Sequence, residues 1–158
     1  MEYLFQYIPI TSQICNLKLV FSTEKNGYSL KTLYSLTENY EQCKGVIFLI
    51  KITTSQVFGG FCDKMFKLTQ VYYIGSDSSF VFGLKPEREV YRSKCVNTYF
   101  LCCDTDHVSF GGGGEGEAIR INENFETGET NSSETFGNKP FVEGKMFKCS
   151  EFELYALV

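Results

Sequence analysis

Gly111, Gly113 and Gly116 satisfy the spacing G-x-G-x-x-G inside the run Gly111-Gly112-Gly113-Gly114-Glu115-Gly116. In that pattern backbone amides cradle a pyrophosphate where a helix opens at the last glycines. Here the run continues as Glu117-Ala118-Ile119-Arg120-Ile121, which alternates and reads as a strand. Glu115 and Glu117 would also set negative charge against a phosphate. Walker A spacing fails as well, because Glu117 stands where lysine is required. The glycines are therefore expected to do backbone work, either positive φ or close approach to another part of the fold.

The other reactive side chains near this run fall short of a site in the same way. Cys102, Cys103, Asp104, Asp106 and His107 are neighbours in sequence, but they lack the paired C-x-x-C or histidine spacing of structural zinc. Adjacent cysteines in a strand point to opposite faces and do not readily share one ion. His107 is the single histidine; Asp106 and Ser109 flank it, yet a local cluster in a tight turn rarely has triad geometry, and no serine sits on a strand-to-helix elbow. Glu115, Glu117, Glu126, Glu129 and Glu134 are dense enough to suggest a carboxylate acid–base pair, but a solvated acidic face is the commoner outcome. If the glycine segment packs against residues 123–140, these carboxylates form one negative surface, which suits a basic protein partner. None of the seven cysteines has the basic or helix-N-terminal context of a reactive thiol. No catalytic residue, cofactor or metal is expected.

The elements that would position these residues are mostly short strands. Leu17–Phe21 alternates and reads as a strand. Thr23–Gly27 reads as a turn, and Ser29 can cap a helix over Ser29–Asn39 with Leu30, Leu33 and Tyr34 on one face. Val46-Ile47-Phe48-Leu49-Ile50 is a continuous apolar run, a strand buried on both faces, and Val57-Phe58-Gly59-Gly60-Phe61 returns beside it. Further strands are expected at Val71–Ile74, Ser79–Leu84, Val90–Arg92, Tyr99–Cys103, Val108–Phe110, Ala118–Ile121 and within Met146–Val158. Glu123–Pro140 is polar and reads as a long surface loop. Within it, Phe136 can anchor the segment in the core, Gly137-Asn138 can turn, and Glu134 is either exposed or tied to backbone N–H groups. The fold class is mostly β (α+β), a two-sheet antiparallel sandwich edged by a few short helices. Residues 1–16 form an arm or short helix packed on one domain that spans 17–158.

The chain has 158 residues, of which 43% are hydrophobic, with aromatics that are all Phe and Tyr. That supports a real core and a β-rich globular domain, and argues against disorder. A net charge of −4 disfavours a phosphate backbone as partner, so no nucleic-acid binding is expected. No apolar run approaches the ~20 residues that span a bilayer, which leaves no direct membrane insertion. An odd cysteine count without a secretory signal points to free thiols in a cytoplasmic compartment.

In order and spacing, these segments resemble the TLDc domain family, which includes oxidation resistance proteins and nuclear receptor coactivator relatives. The resemblance rests on Leu19–Ser22 followed by Asn26–Tyr34, on Val46–Lys51 with Val57–Phe61, on Phe80–Phe82 with Lys85-Pro86-Glu87, on Asp106–Gly114, on Ser133-Glu134-Thr135-Phe136-Gly137-Asn138, and on Phe147–Tyr155. The chain departs where the family usually has Trp, at Leu17 and Tyr155, and at Asp77-Ser78 in a loop that tends to read Gly-Thr-Gly-Glu. The resemblance implies a β-sandwich without an established active site. It implies a non-enzymatic interaction module associated with oxidative stress resistance and with binding the vacuolar proton-pumping ATPase. An alternative is a structural subunit of another large assembly, or an enzyme using Glu134 or a cysteine. Recruitment to the cytoplasmic face of endolysosomal membranes would then run through the partner. Gly111, Gly112, Gly113, Gly114, Glu115, Glu117, Glu134, Thr135 and Phe136 are the candidate partner-binding residues.

Overall fold

A computed structural model describes residues 1–68 and 72–158. Ten strands account for most of its order. They are β1 (Leu17–Ser22), β2 (Val46–Ile52), β3 (Val57–Cys62), β4 (Phe80–Lys85), β5 (Glu89–Arg92), β6 (Leu101–Cys103), β7 (His107–Phe110), β8 (Ile119–Asn122), β9 (Thr127–Glu129) and β10 (Met146–Leu157). All the pairings are antiparallel.

β10 belongs to both sheets. Its first residues, Met146–Lys148, pair with β9, which continues through β8 and β7 to β6. Its later residues pair with β2 on one side and β1 on the other, and β2 continues through β3 and β4 to the edge strand β5. The two halves face each other. Phe48 of β2 meets Phe110 of β7 edge-on at 5.4 Å, and Phe58 of β3 meets Phe147 of β10 at 5.3 Å. The sheet does not close into a barrel, and the architecture is an antiparallel β-sandwich.

The continuous apolar run in β2 has the expected cause. Phe48 and Ile50 point into the core between the sheets, while Ile47 and Leu49 point to the outer face. On that outer face Leu4 and Ile8 are buried against Ile47, Phe61, Phe80 and Phe82. Leu4 belongs to the short helix α1 (Glu2–Phe5), which precedes α2 (Ile10–Gln13).

Several local expectations need correction. Thr23–Gly27 is not a plain turn: Thr23–Asn26 forms a one-turn helix, α3, in which Ser22 accepts from the Lys25 amide at 3.1 Å and Asn26 accepts from the Ser22 amide at 2.9 Å. Gly27 ends it at φ 84°. The next helix, α4, runs Leu30–Thr37 and tightens into a 3-10 turn at Glu38–Tyr40. Ser29 holds the N-cap position but its side chain makes no capping bond; the Leu30 amide donates instead to the Glu123 carbonyl at 3.2 Å. The strand expected at Val71–Ile74 is not formed at its described end: Val71 lies outside the described residues, and Ile74 makes only an isolated bridge to Leu101.

The largest correction concerns residues 123–140. They are a surface loop only in part: Glu123, Asn124, Glu126, Glu134, Gly137 and Lys139 are exposed. They contain β9, and Phe125, Thr130, Ser133, Thr135, Phe136 and Asn138 are all buried. Polar side chains can be buried here because they are paired. Thr130 Oγ1 donates to the Ala118 carbonyl at 2.7 Å, Ser133 Oγ donates to Asn138 Oδ1 at 2.7 Å, and Asn138 Nδ2 donates to the Asn131 carbonyl at 2.9 Å. Burying such groups is tolerated only when their hydrogen bonds are replaced.

Candidate functional site

The glycine segment leaves β7 at Gly111 and reaches β8 at Ile119. Gly111 is buried at φ 82°, and its amide donates to the Phe100 carbonyl at 2.8 Å. A Cβ at this position would come within 3.0 Å of the Phe136 ring and 3.1 Å of Ala118. Glycine is needed there for both reasons, conformation and space. Gly113 and Gly114 also take positive φ, at 72° and 66°. Glu134 lies against both, with Oε2 2.9 Å from where a Gly113 Cβ would sit.

Residues 133–137 are laced to the glycines by backbone bonds. The Glu134 amide donates to the Gly112 carbonyl at 3.1 Å. Thr135, 1% exposed, accepts from the Gly112 amide at 3.0 Å through Oγ1 and donates to Asn97 Oδ1 at 2.8 Å. Phe136, fully buried, stacks on Phe110 at 5.3 Å. The Gly137 amide donates to the Ser133 carbonyl at 2.9 Å, and the Lys94 side chain covers the face of Gly137.

The nine candidate residues therefore separate into two layers. Gly111, Gly112, Thr135 and Phe136 are buried and hold the turn in place. Gly114, Glu115 and Glu134 are exposed, with Gly113 and Glu117 half-buried. The surface is not uniformly negative as expected. Glu115 pairs with Lys145 at 2.9 Å and Glu117 with Arg120 at 3.4 Å. Glu129 stands opposite Arg120 in the β8–β9 ladder. Glu134 has no such partner among the described residues, and it is exposed rather than bonded to amides through its carboxylate.

Two supporting residues escape a reading of the sequence. Asn97 and Tyr99 lie far from Thr135 along the chain, and only tertiary pairing brings them to it. Asn97 Oδ1 accepts from the Tyr99 amide at 3.1 Å as well as from Thr135, while its Nδ2 is buried without a partner among the described residues. The Tyr99 side chain packs on Gly112, with its Cβ 3.1 Å from a Cβ built there. The short Asn97-Thr98-Tyr99 turn is the one local signal.

The alternative chemistry is also visible. Asp104, Asp106 and His107 can bring one ligand atom each to within 4.8 Å of one another. Asp106 and His107 already pair at 2.6 Å, and that hydrogen bond holds the Asp106 carboxyl below its ordinary value. Ser109 does not join them: it is 2% exposed and stands opposite Cys102 in the β6–β7 ladder. Cys103 is buried and Cys102 half-buried, on alternate faces of β6. Burial pushes the thiols of Cys62 and Cys149 up to about 12, and raises Cys43, Cys102 and Cys103 too, which opposes the thiolate that nucleophilic chemistry needs. No helix among the described residues is long and apolar enough to cross a membrane.

The sequence as a whole is similar to those of known proteins. The chain is 36% identical over 138 residues to oxidation resistance protein 1 of Bos taurus, which covers 87% of this chain and 16% of that protein. It is 29% identical over 172 aligned residues to the GTPase-activating protein skywalker of Drosophila melanogaster, covering 98% of this chain and 29% of that protein. It is 29% identical over 155 residues to nuclear receptor coactivator 7 of Homo sapiens, covering 98% of this chain and 16% of that protein. The chain thus spans less than a third of the length of each of these relatives. The family model described as the TLDc domain matches residues 1–158, including the first sixteen. Together with the sandwich and the Gly111–Phe136 turn, these matches make the chain a member of the TLDc domain family.

Proposed function

We propose that this chain is a non-catalytic TLDc interaction module that serves oxidative stress resistance by binding a large protein assembly, the vacuolar proton-pumping ATPase, in the cytoplasm. The residues that meet the partner are Gly113, Gly114, Glu115, Glu117 and Glu134, held from beneath by Gly111, Gly112, Thr135 and Phe136. The observation that carries this reading is the buried Thr135–Gly112 hydrogen bond at 3.0 Å, which locks an otherwise costly glycine segment into one conformation with the Glu134 carboxylate exposed on its outside. A turn this heavily braced yet bare of side chains is suited to close backbone approach. The name of the oxidation resistance relatives supports the stress role, at 36% identity for the bovine protein.

The test is affinity capture from native cells with identification by mass spectrometry, comparing wild type with folded Glu134→Lys. Vacuolar ATPase subunits captured by the wild type and lost from the variant are the expected result. A wild-type eluate containing a different assembly and no pump subunits overturns the choice of partner. Retention of all partners by Glu134→Lys moves the binding surface elsewhere.

A further inference from the structure

We infer that the outer surface of the glycine turn is a seat for an arginine side chain presented by a basic segment of the partner. The inference rests on the surface proposed above and specifies what that surface recognises.

Two different groups flank one stretch of bare backbone. Tyr99, 40% exposed, lies against Gly112 and forms a ring pair with Tyr73, the centroids 4.9 Å apart at 40°. Glu134 lies against Gly113 and Gly114 on the next residues along. Its carboxylate is exposed and makes no ion pair with the described residues.

An aromatic face beside an unpaired carboxylate is complementary to a flat cation. A guanidinium can stack on a tyrosine ring and still direct its N–H fork at a carboxylate, whereas an ammonium is a point charge that does one of these at a time. Gly112 is buried under Tyr99 and Glu134 lies over Gly113 and Gly114, so the two groups sit on successive glycines with no side chain from the turn itself between them. Two cations close to the turn are already paired, and a third is held by its stem. Lys145 and Arg120 pair with Glu115 and Glu117, and the Lys94 stem lies over Gly137.

The experiment titrates the whole chain with fluorescently labelled nona-arginine and nona-lysine peptides at physiological salt. Nona-arginine is expected to bind more tightly than nona-lysine. Tyr99→Leu and Glu134→Gln are each expected to weaken nona-arginine by about fivefold, the scale of one exposed cation–π contact. Tyr99→Phe, which keeps the ring, is expected to bind like wild type. Glu38→Gln removes the same charge on a distant helix turn and is expected to change nothing. Equal binding of both peptides, or equal loss in Glu38→Gln and Glu134→Gln, would mean only diffuse attraction to an acidic protein and would overturn the seat. Native-cell capture separates the two readings. Partners lost from Glu134→Lys but kept by Tyr99→Leu leave the surface standing and remove the arginine seat; partners kept by both remove the surface itself.

Discussion

The hydroxyl of Thr135 and the carboxamide of Asn97, 38 positions apart in the chain, meet at 2.8 Å beneath the glycine segment. The same hydroxyl accepts the Gly112 amide. Thr135→Val keeps the shape and deletes both bonds, leaving a buried amide without an acceptor. It is expected to lower stability by about 1–3 kcal/mol. Thr135→Ser keeps the hydroxyl and should retain most of that. Urea denaturation of the three proteins measures it, and equal midpoints for Thr135→Val and wild type would show that the bond contributes nothing.

The glycines should differ among themselves. Gly111→Ala meets positive φ together with the Phe136 ring and Ala118, neither of which can move far. Gly112 does not take positive φ, and a Cβ there meets only Tyr99 at 3.1 Å. Left-handed backbone costs about 1–2 kcal/mol and core overpacking about 1–3 kcal/mol. Gly111→Ala is therefore expected to melt well below Gly112→Ala, and Gly113→Val below Gly112→Val. The reverse order in thermal melts would show that conformation at the turn is not limiting.

Charge changes at the outer layer should leave the fold intact. Glu134→Ala is expected to shift stability by no more than about 0.5 kcal/mol, as an exposed substitution. Glu115→Lys breaks an exposed ion pair with Lys145 that is worth about 1 kcal/mol at most. Its effect should lie mainly in association rate and should fade with added salt. A large stability loss in Glu134→Ala would place that side chain in the supporting layer instead.

The cysteines predict a graded reactivity. All are free among the described residues, with Cys95 exposed and Cys62 and Cys103 buried. Thiol reagent added to the folded protein at neutral pH should modify Cys95 early and Cys62 and Cys103 only on unfolding. Denatured, unreduced protein should titrate all seven. Fast labelling of Cys62 in the folded state would contradict its burial.

Alkaline pH should weaken the fold. Burial pushes Cys62 from its ordinary 9.0 up to about 12, and Cys149 likewise. Tyr91 and Tyr155 rise from 10.0 to about 12, through burial first and then the charge and hydrogen bond of Glu89 and Glu153 respectively. In each case the folded state holds its proton longer than the unfolded chain. Their contribution is complete below pH about 9 and is lost as pH rises from there through about 12. Urea midpoints should fall over that window, and Cys62→Ala should flatten part of the fall even though it starts from a lower stability. A midpoint that rises above pH 9 would contradict the assigned direction.

Particular residues show how much could be read in advance. Val46–Ile50 announced a strand covered on both faces, because an unbroken apolar run has nowhere else to go. The glycine run announced positive φ or close backbone approach, and Gly111 shows both. Leu30 and Leu33 announced the face of α4. The misses share one cause. Ser22 and Asn26 turn an apparent loop into α3 by hydrogen bonds, and Thr130, Ser133, Thr135 and Asn138 carry a polar stretch into the core by the same means. Hydropathy registers that a side chain is polar, not that its partner will be waiting. Asn97 and Tyr99 were missed at the candidate site for that reason, since their role depends on contacts with residues distant in sequence.

The shared strand β10 has a consequence for how the protein is made. Met146–Lys148 complete one half of the sandwich and Cys149–Ala156 pair with β2 in the other. Until the ribosome has released Leu157, β1 has no neighbour, β2 and β9 each lack one, and the aromatic faces around Phe48 and Phe58 are open to water. Pairing across such long sequence separations is slow. A nascent chain in which β10 has not yet emerged therefore presents unpaired strand edges, and its protection from other nascent chains until then falls to chaperones rather than to its own early structure.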